Sequence, residues 1–223
     1  MTYDAVLFDN DGVLVELVDL DVLHAATRRA FDAVGVDDPA PDDVADIAIH
    51  VTPDDVVNVA ARYDVDPEAF WRARERHASL AQQTELRERR VGLYDDFDAV
   101  RSLATPRGIV SSNQQETVDF HHDFHGTRDL FATAYGREPT VESLGRKKPD
   151  PHYLERALSD LDAESALFVG DSDVDLLAAA NAGLDAAFLR RPHRRDHTPA
   201  VSPTYELDGL DDLLELDRVP VAE

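Results

Sequence analysis

Asp9 and Asp11 stand two residues apart in V-L-F-D-N-D-G-V-L, at the end of a short apolar run, and Asp171 and Asp175 stand four apart in F-V-G-D-S-D-V-D, directly after another. The only two lysines of the chain, Lys147 and Lys148, lie between these groups, immediately before Pro149. A composition that uses arginine for every other such cation has kept an ammonium there. Carboxylates that face one another repel and are costly to desolvate, and a divalent cation with hydrogen-bond donors among them offsets both costs. In an extended chain Asp9 and Asp11 point the same way, and Gly12 lets the backbone turn sharply behind them. Asp173 continues the alternation, but a calcium loop needs glycine at its sixth position and glutamate at its twelfth, where Leu176 and Ala182 stand. Magnesium binds a few carboxylates, waters and phosphate oxygens, and suits the set better. One ammonium and four carboxylates predict a Mg²⁺-dependent phosphoryl site.

Ser111, Ser112 and Asn113 follow the apolar run 108–110. They offer hydroxyls, an amide and backbone N–H groups at an expected helix start, which serves either as a phosphate cradle or as a plain cap.

These residues need a frame. Apolar runs at 5–8, 108–110, 131–135, 166–169 and 186–189 alternate with helical patterns, which predicts a parallel sheet. Residues 15–90 read as helical throughout, with start signals at Thr52-Pro53-Asp54-Asp55 and Asp66-Pro67-Glu68. An insertion after the first strand sits above the carboxyl edge of the sheet, where α/β folds bind ligands. The expected fold is therefore α/β, a Rossmann-like parallel-sheet core (1–14 and 92–223) with an inserted all-helical cap domain (15–91). Trp71 is expected in the cap's own core, and Arg87, Arg89 and Arg90 on a solvated face with local ion pairs. Residues 174–182 read as a helix ending at Gly183, and 207–216 as a last short helix. His121 and His125 have the spacing for a transition metal, but no paired carboxylate completes the set, so a solvated helix is expected there.

The formal net charge is -24, from 46 acids against 22 bases spread along the chain. Such a surface repels nucleic acid and anionic lipid. Its lysine-poor, aspartate-rich character resembles that of halophilic archaeal proteins, whose salt screens the self-repulsion. The absence of cysteine excludes disulfides, thiolate metal sites and a Cys nucleophile. No apolar stretch reaches the ~20 residues of a membrane helix, and no basic leader is visible. A cytoplasmic monomer is expected.

The order D-N-D-G-V-L, I-V-S-S-N, K-K-P-D-P, V-G-D-S-D-V-D resembles the haloacid dehalogenase-like hydrolase superfamily, and the helical insertion is similar to the cap of its phosphoglycolate phosphatase-like branch. The resemblance implies Asp9 as nucleophile forming an aspartyl-phosphate, and Asp11 as general acid and base. It implies Mg²⁺ held by Asp9, the Asp11 carbonyl, Asp171 and Asp175, the last directly or through water. Ser111 and Lys148 would hold the transferring phosphoryl group, with Ser112 and Asn113 as secondary contacts. A role for Lys147 stays open. Residues 92–95, Gly-Leu-Tyr-Asp, depart from the Pro-Gly turn that often closes this family's cap. The implied reaction is hydrolysis of a small phosphorylated metabolite. A phosphosugar mutase is the alternative enzyme, and a non-catalytic binding protein the alternative outside enzymes. Dehalogenases lack an acid matching Asp11, and phosphonate cleavage needs a cap lysine that this chain does not have.

Overall fold

Ala5, Val6, Leu7 and Phe8 are all inaccessible to solvent, as a central strand covered by helices on both faces requires. In the computed structural model, which describes residues 2–222, this strand, β1 (Ala5–Phe8), pairs in parallel with β2 (Arg107–Gln114) and β4 (Ala166–Gly170). β3 (Thr133–Arg137) extends the sheet beyond β2, and β5 (Asp185–Leu189) and β6 (Tyr205–Leu207) extend it beyond β4. The six-stranded order is β3-β2-β1-β4-β5-β6. Alternation along β1 divides the core: Val6 and Phe8 pack with Ile109, Val118 and Val169, whereas Leu7 packs with Tyr153, Phe168 and Phe188 on the other face.

Four helices, α1 (Leu20–Ala33), α2 (Pro41–Ala48), α3 (Pro53–Arg62) and α4 (Pro67–Arg87), fill the interval between β1 and β2. Both expected starts are present: Thr52 and Asp55 form a reciprocal capping box, and the Asp66 side chain accepts from the backbone N–H of Ala69. The insertion has its own core, in which Phe31 packs on Phe70 with ring centroids 4.6 Å apart and Trp71 is buried. Leu144, from the sheet-bearing part of the chain, inserts into that core. As expected, Arg90 pairs with Glu85 and Glu88 on an exposed face.

The insertion is not helical to its ends. Val15 and Leu93 form an antiparallel bridge, flanked by Glu16 N–H to the Gly92 carbonyl (2.8 Å) and Tyr94 N–H to the Leu14 carbonyl (3.2 Å). The two crossings between core and cap therefore run as one short ribbon in place of a Pro-Gly turn. Tyr94 is held there by the guanidinium of Arg191, 3.7 Å from its ring centroid.

Two further stretches differ from expectation. After α5 (Asp98–Arg101), β2 continues through Ser111, Ser112 and Asn113 to Gln114, and α6 (Gln115–His125) begins only afterwards. These polar residues remain in the strand because Gln114 pairs with Arg137 of β3 past an irregularity in register. On the opposite face lie α7 (His152–Leu161) and α8 (Asp173–Asn181), the latter followed by Gly183 at φ +71°. Leu207 ends a short sixth strand, and the segment 210–215 that follows is a 3₁₀ helix with Leu210 and Leu213 buried.

Candidate active site

Because β1 and β4 are neighbours, their carboxyl ends deliver Asp9 and Asp171 to the same crevice. One carboxylate oxygen from each of Asp9, Asp171 and Asp175 lies within 4.8 Å of the others. Lys148 completes the cluster, with Nζ 2.8 Å from Asp9 Oδ1 and 2.6 Å from Asp175 Oδ1. Asp175 also begins α8: with Ser172 it forms a capping box, and its Oδ2 accepts from the backbone N–H groups of Asp171 (3.2 Å) and Ser172 (3.1 Å) and from the Ser172 hydroxyl. Gly170 makes room for this, since a Cβ there would stand 2.3 Å from that of Asp175. Gly12 turns at φ +82° so close to Asp171 that its Cβ would stand 2.7 Å from Oδ2.

The charges do not balance. Burial pushes the Asp9 carboxyl well above its usual range; Lys148 opposes this, and Asp175, Asp171 and Asp11 add to it. Burial also works against the Lys148 ammonium, but Asp175 and Asp9 outweigh it and raise its pKa. Clustered hard oxygen donors with only one internal ammonium fit a hard divalent cation such as Mg²⁺.

The Asp11 carboxylate turns to different partners. Ser111 Oγ lies 3.2 Å from its Oδ2, and Asn113 Nδ2 donates to Oδ1 at 3.0 Å. Asn113 Nδ2 also donates to Oε1 of Gln82, on the cap helix α4, at 2.8 Å. Asn113 thus links the Asp11 carboxylate to the cap. The Ser112 side chain takes no part; its hydroxyl is buried without a hydrogen-bond partner, and its carbonyl accepts from Arg137 Nε at 2.6 Å. Arg137 reaches on to the cap, where it pairs with buried Glu75 at 3.1 Å. Lys147 points away from the carboxylates and donates to the Val51 carbonyl at 2.5 Å. Burial, with Arg137 and Arg74 nearby, pushes its pKa down to about 8.

Two groups of neighbours were not expected from sequence. His193 Nε2 lies 2.5 Å and Arg194 Nε 3.4 Å from the same Asp171 oxygen. Their signal was available: R-R-P-H-R-R, a basic run in an acidic chain, directly follows the apolar strand β5. The histidines of α6 correct a second expectation. His121 and His122 are not on a solvated face; they are 1% and 2% exposed and both contact the Asn10 side chain. His121 and His125 belong to no group of three metal-competent side chains among the described residues. Burial pushes His122 down to about 3, with His121, His125 and Arg128 adding to the shift.

The sheet order, the inserted helices and the acids at the ends of β1 and β4 together describe a phosphoryl-handling α/β hydrolase, and the comparisons agree on its family. Residues 6–189 match the haloacid dehalogenase-like hydrolases, and the chain belongs to that family. The pyrophosphatase PpaX of Bacillus velezensis is 26% identical over 226 residues, covering 96% of each chain. The fold is similar to that of CbbY from Rhodobacter sphaeroides in complex with phosphate, with a TM-score of 0.71 and 20% identity over 95% of this chain and 96% of that one. A putative phosphoglycolate phosphatase from Lactobacillus plantarum gives a TM-score of 0.67 at 21% identity, over 96% and 99%. No helix among the described residues is long and apolar enough to cross a membrane.

Proposed function

We propose that the protein is a Mg²⁺-dependent phosphatase that hydrolyses a small phosphorylated metabolite through an aspartyl-phosphate on Asp9. The observation that carries this reading is the division of labour between the two aspartates of one loop. Asp9 sits beside Lys148 and the Asp171 pair, whereas Asp11 is held by Ser111 and Asn113. A nucleophile needs neighbouring cations to accept an anionic phosphoryl group, and a general acid needs a separate environment that sets its proton.

In this reading Asp9 attacks phosphorus, Asp11 protonates the leaving oxygen and then takes a proton from the hydrolytic water, and Lys148 and Ser111 stabilise the transferring group. Backbone N–H groups at Ser112 and the Asn113 amide supply secondary contacts. Asp9, Asp171 and the Asp11 carbonyl would hold Mg²⁺, which when bound supplies charge to the phosphoryl oxygens. Asp175 serves through water, because Lys148 and the start of α8 engage both of its oxygens. Residues 15–91 act as a cap that excludes bulk water, with Gln82 bonded to Asn113, and residues 1–14 and 92–223 as the catalytic core. The whole-length likeness to a pyrophosphatase makes pyrophosphate and small phosphoesters the first substrates to screen. The charge of -24 supports a cytoplasmic, halophilic monomer that binds no nucleic acid.

The test is phosphate release from an aryl phosphate in molar KCl with Mg²⁺. Activity in the parent, abolished by EDTA and by Asp9→Asn, is the expected result. A folded parent that releases no phosphate from aryl phosphate, pyrophosphate or sugar phosphates overturns it.

A further inference from the structure

Asn10, between the two aspartates, is fully buried, and each polar atom of its side chain has a histidine partner. Its Oδ1 lies 2.9 Å from His122 Nε2, and its Nδ2 lies 3.2 Å from His121 Nδ1. An amide oxygen only accepts and an amide nitrogen only donates, so His122 carries its proton on Nε2 and His121 accepts at Nδ1. Thr127, also buried, then donates its hydroxyl to His122 Nδ1 at 2.8 Å. Two neutral imidazoles grip the amide. The Asn10 backbone does the corresponding work on the loop: its N–H donates to Asp9 Oδ1 at 2.7 Å, and its carbonyl accepts from Val13, Leu14 and Val15.

We propose that Asn10, clamped by His121 and His122 of α6, is a positioning residue that aims the Asp9 carboxylate and sets the path of the loop carrying Asp11. The proposal rests on the phosphatase reading above. Rotation of Asn10 would swing its N–H away from Asp9 Oδ1, the oxygen that Lys148 also holds, and would release the turn at Gly12. The α6 clamp is buried, with Asn10, His121 and His122 each no more than 2% exposed. Substrate does not touch it, so its loss falls on the reaction step. A small misplacement of a reacting group can cost up to ~100-fold in rate.

The experiment compares His122→Phe, which keeps a ring against Phe131 but removes the donor, with His122→Gln, whose amide N–H occupies the place of Nε2. With an aryl phosphate and saturating Mg²⁺, His122→Phe is expected to lower kcat at least about tenfold with KM within about twofold. His122→Gln is expected to restore kcat to within about threefold of the parent, at a similar melting temperature. Thr127→Val, which removes only the orienting hydroxyl, is expected to lower kcat without changing KM, and it provides the test should His122→Phe not fold. In a double-mutant cycle, Asn10→Ala with His122→Phe should lose no more than the worse single variant. Parent-like kcat in both His122→Phe and Thr127→Val, no rescue by glutamine, or losses that multiply would overturn the clamp while leaving an active parent and its Asp9 dependence intact. An inactive parent overturns the phosphatase reading and the clamp with it.

Discussion

One loop, Asp9 to Gly12, separates two buried polar centres built on opposite principles. On the sheet-end side Asp9, Asp171, Asp175 and Lys148 form a charged cluster whose electrostatics do not close, and burial and mutual repulsion hold Asp9 above its usual range. On the α6 side Asn10, His121, His122 and Thr127 form an uncharged group in which the amide and hydroxyl hydrogen bonds are paired. The first is under tension that a bound cation would relieve. The second carries no net charge, its amide is held from both sides, and among its polar atoms His121 Nε2 is buried without a hydrogen-bond partner. A site that must exchange partners can be mounted on one that need not.

Removing charge from the first centre gives the largest expected effect. Lys148→Ala leaves two buried carboxylates facing each other, with an expected loss of at least ~10³-fold in kcat and about 3 kcal/mol of stability in EDTA. Phosphate release and urea unfolding measure both, and a parent-like unfolding midpoint would mean that the cluster is less strained than its geometry implies. Mg²⁺ comes next. At about 100 times its dissociation constant it should stabilise the parent by about 2.7 kcal/mol, and Asp171→Asn should remove that gain. Thermal melting with and without Mg²⁺ checks it.

The neutral centre should reveal itself through pH. The His122 pKa, near 3 in the folded protein, lies below the ~6.5 of an unfolded histidine, so its contribution is complete above about pH 6.5 and is lost as pH falls toward 3. Between about pH 6 and 4 the unfolding free energy of the parent, relative to His122→Gln, should fall by about 1.4 kcal/mol per unit. A flat difference would place a charged or solvated histidine there. The smallest effect is expected at the cap. Gln82→Ala removes a hydrogen bond to Asn113 and should lower kcat/KM about threefold to tenfold, read by steady-state kinetics.

The charged centre was legible in sequence because each of its acids ends an apolar run or begins a helix, a local pattern that survives without coordinates. The pair Lys147 and Lys148 was legible through rarity, Lys148 within it through the family resemblance, and the start of α4 through Asp66-Pro67. The neutral centre was not. Histidines in an acidic helix read as exposed, and among the groups packed on His122 is Asn10, 112 positions earlier in the chain. Strand β6 escaped because three residues on a sheet edge carry too little alternation to register. The extension of β2 through Ser111 to Gln114 escaped because its pairing with Arg137 depends on β3, while the residues themselves favour caps.

The paired ribbon at Val15 and Leu93 has a mechanical consequence. Two separate tethers would let the helical insertion slide, twist and tilt over the sheet, whereas a hydrogen-bonded two-strand band flexes readily across its flat face and resists shearing along its length. Any tilting of the insertion away from Asp9 would bend this band, and would also have to withdraw Leu144 from the cap core and part Arg137 from Glu75.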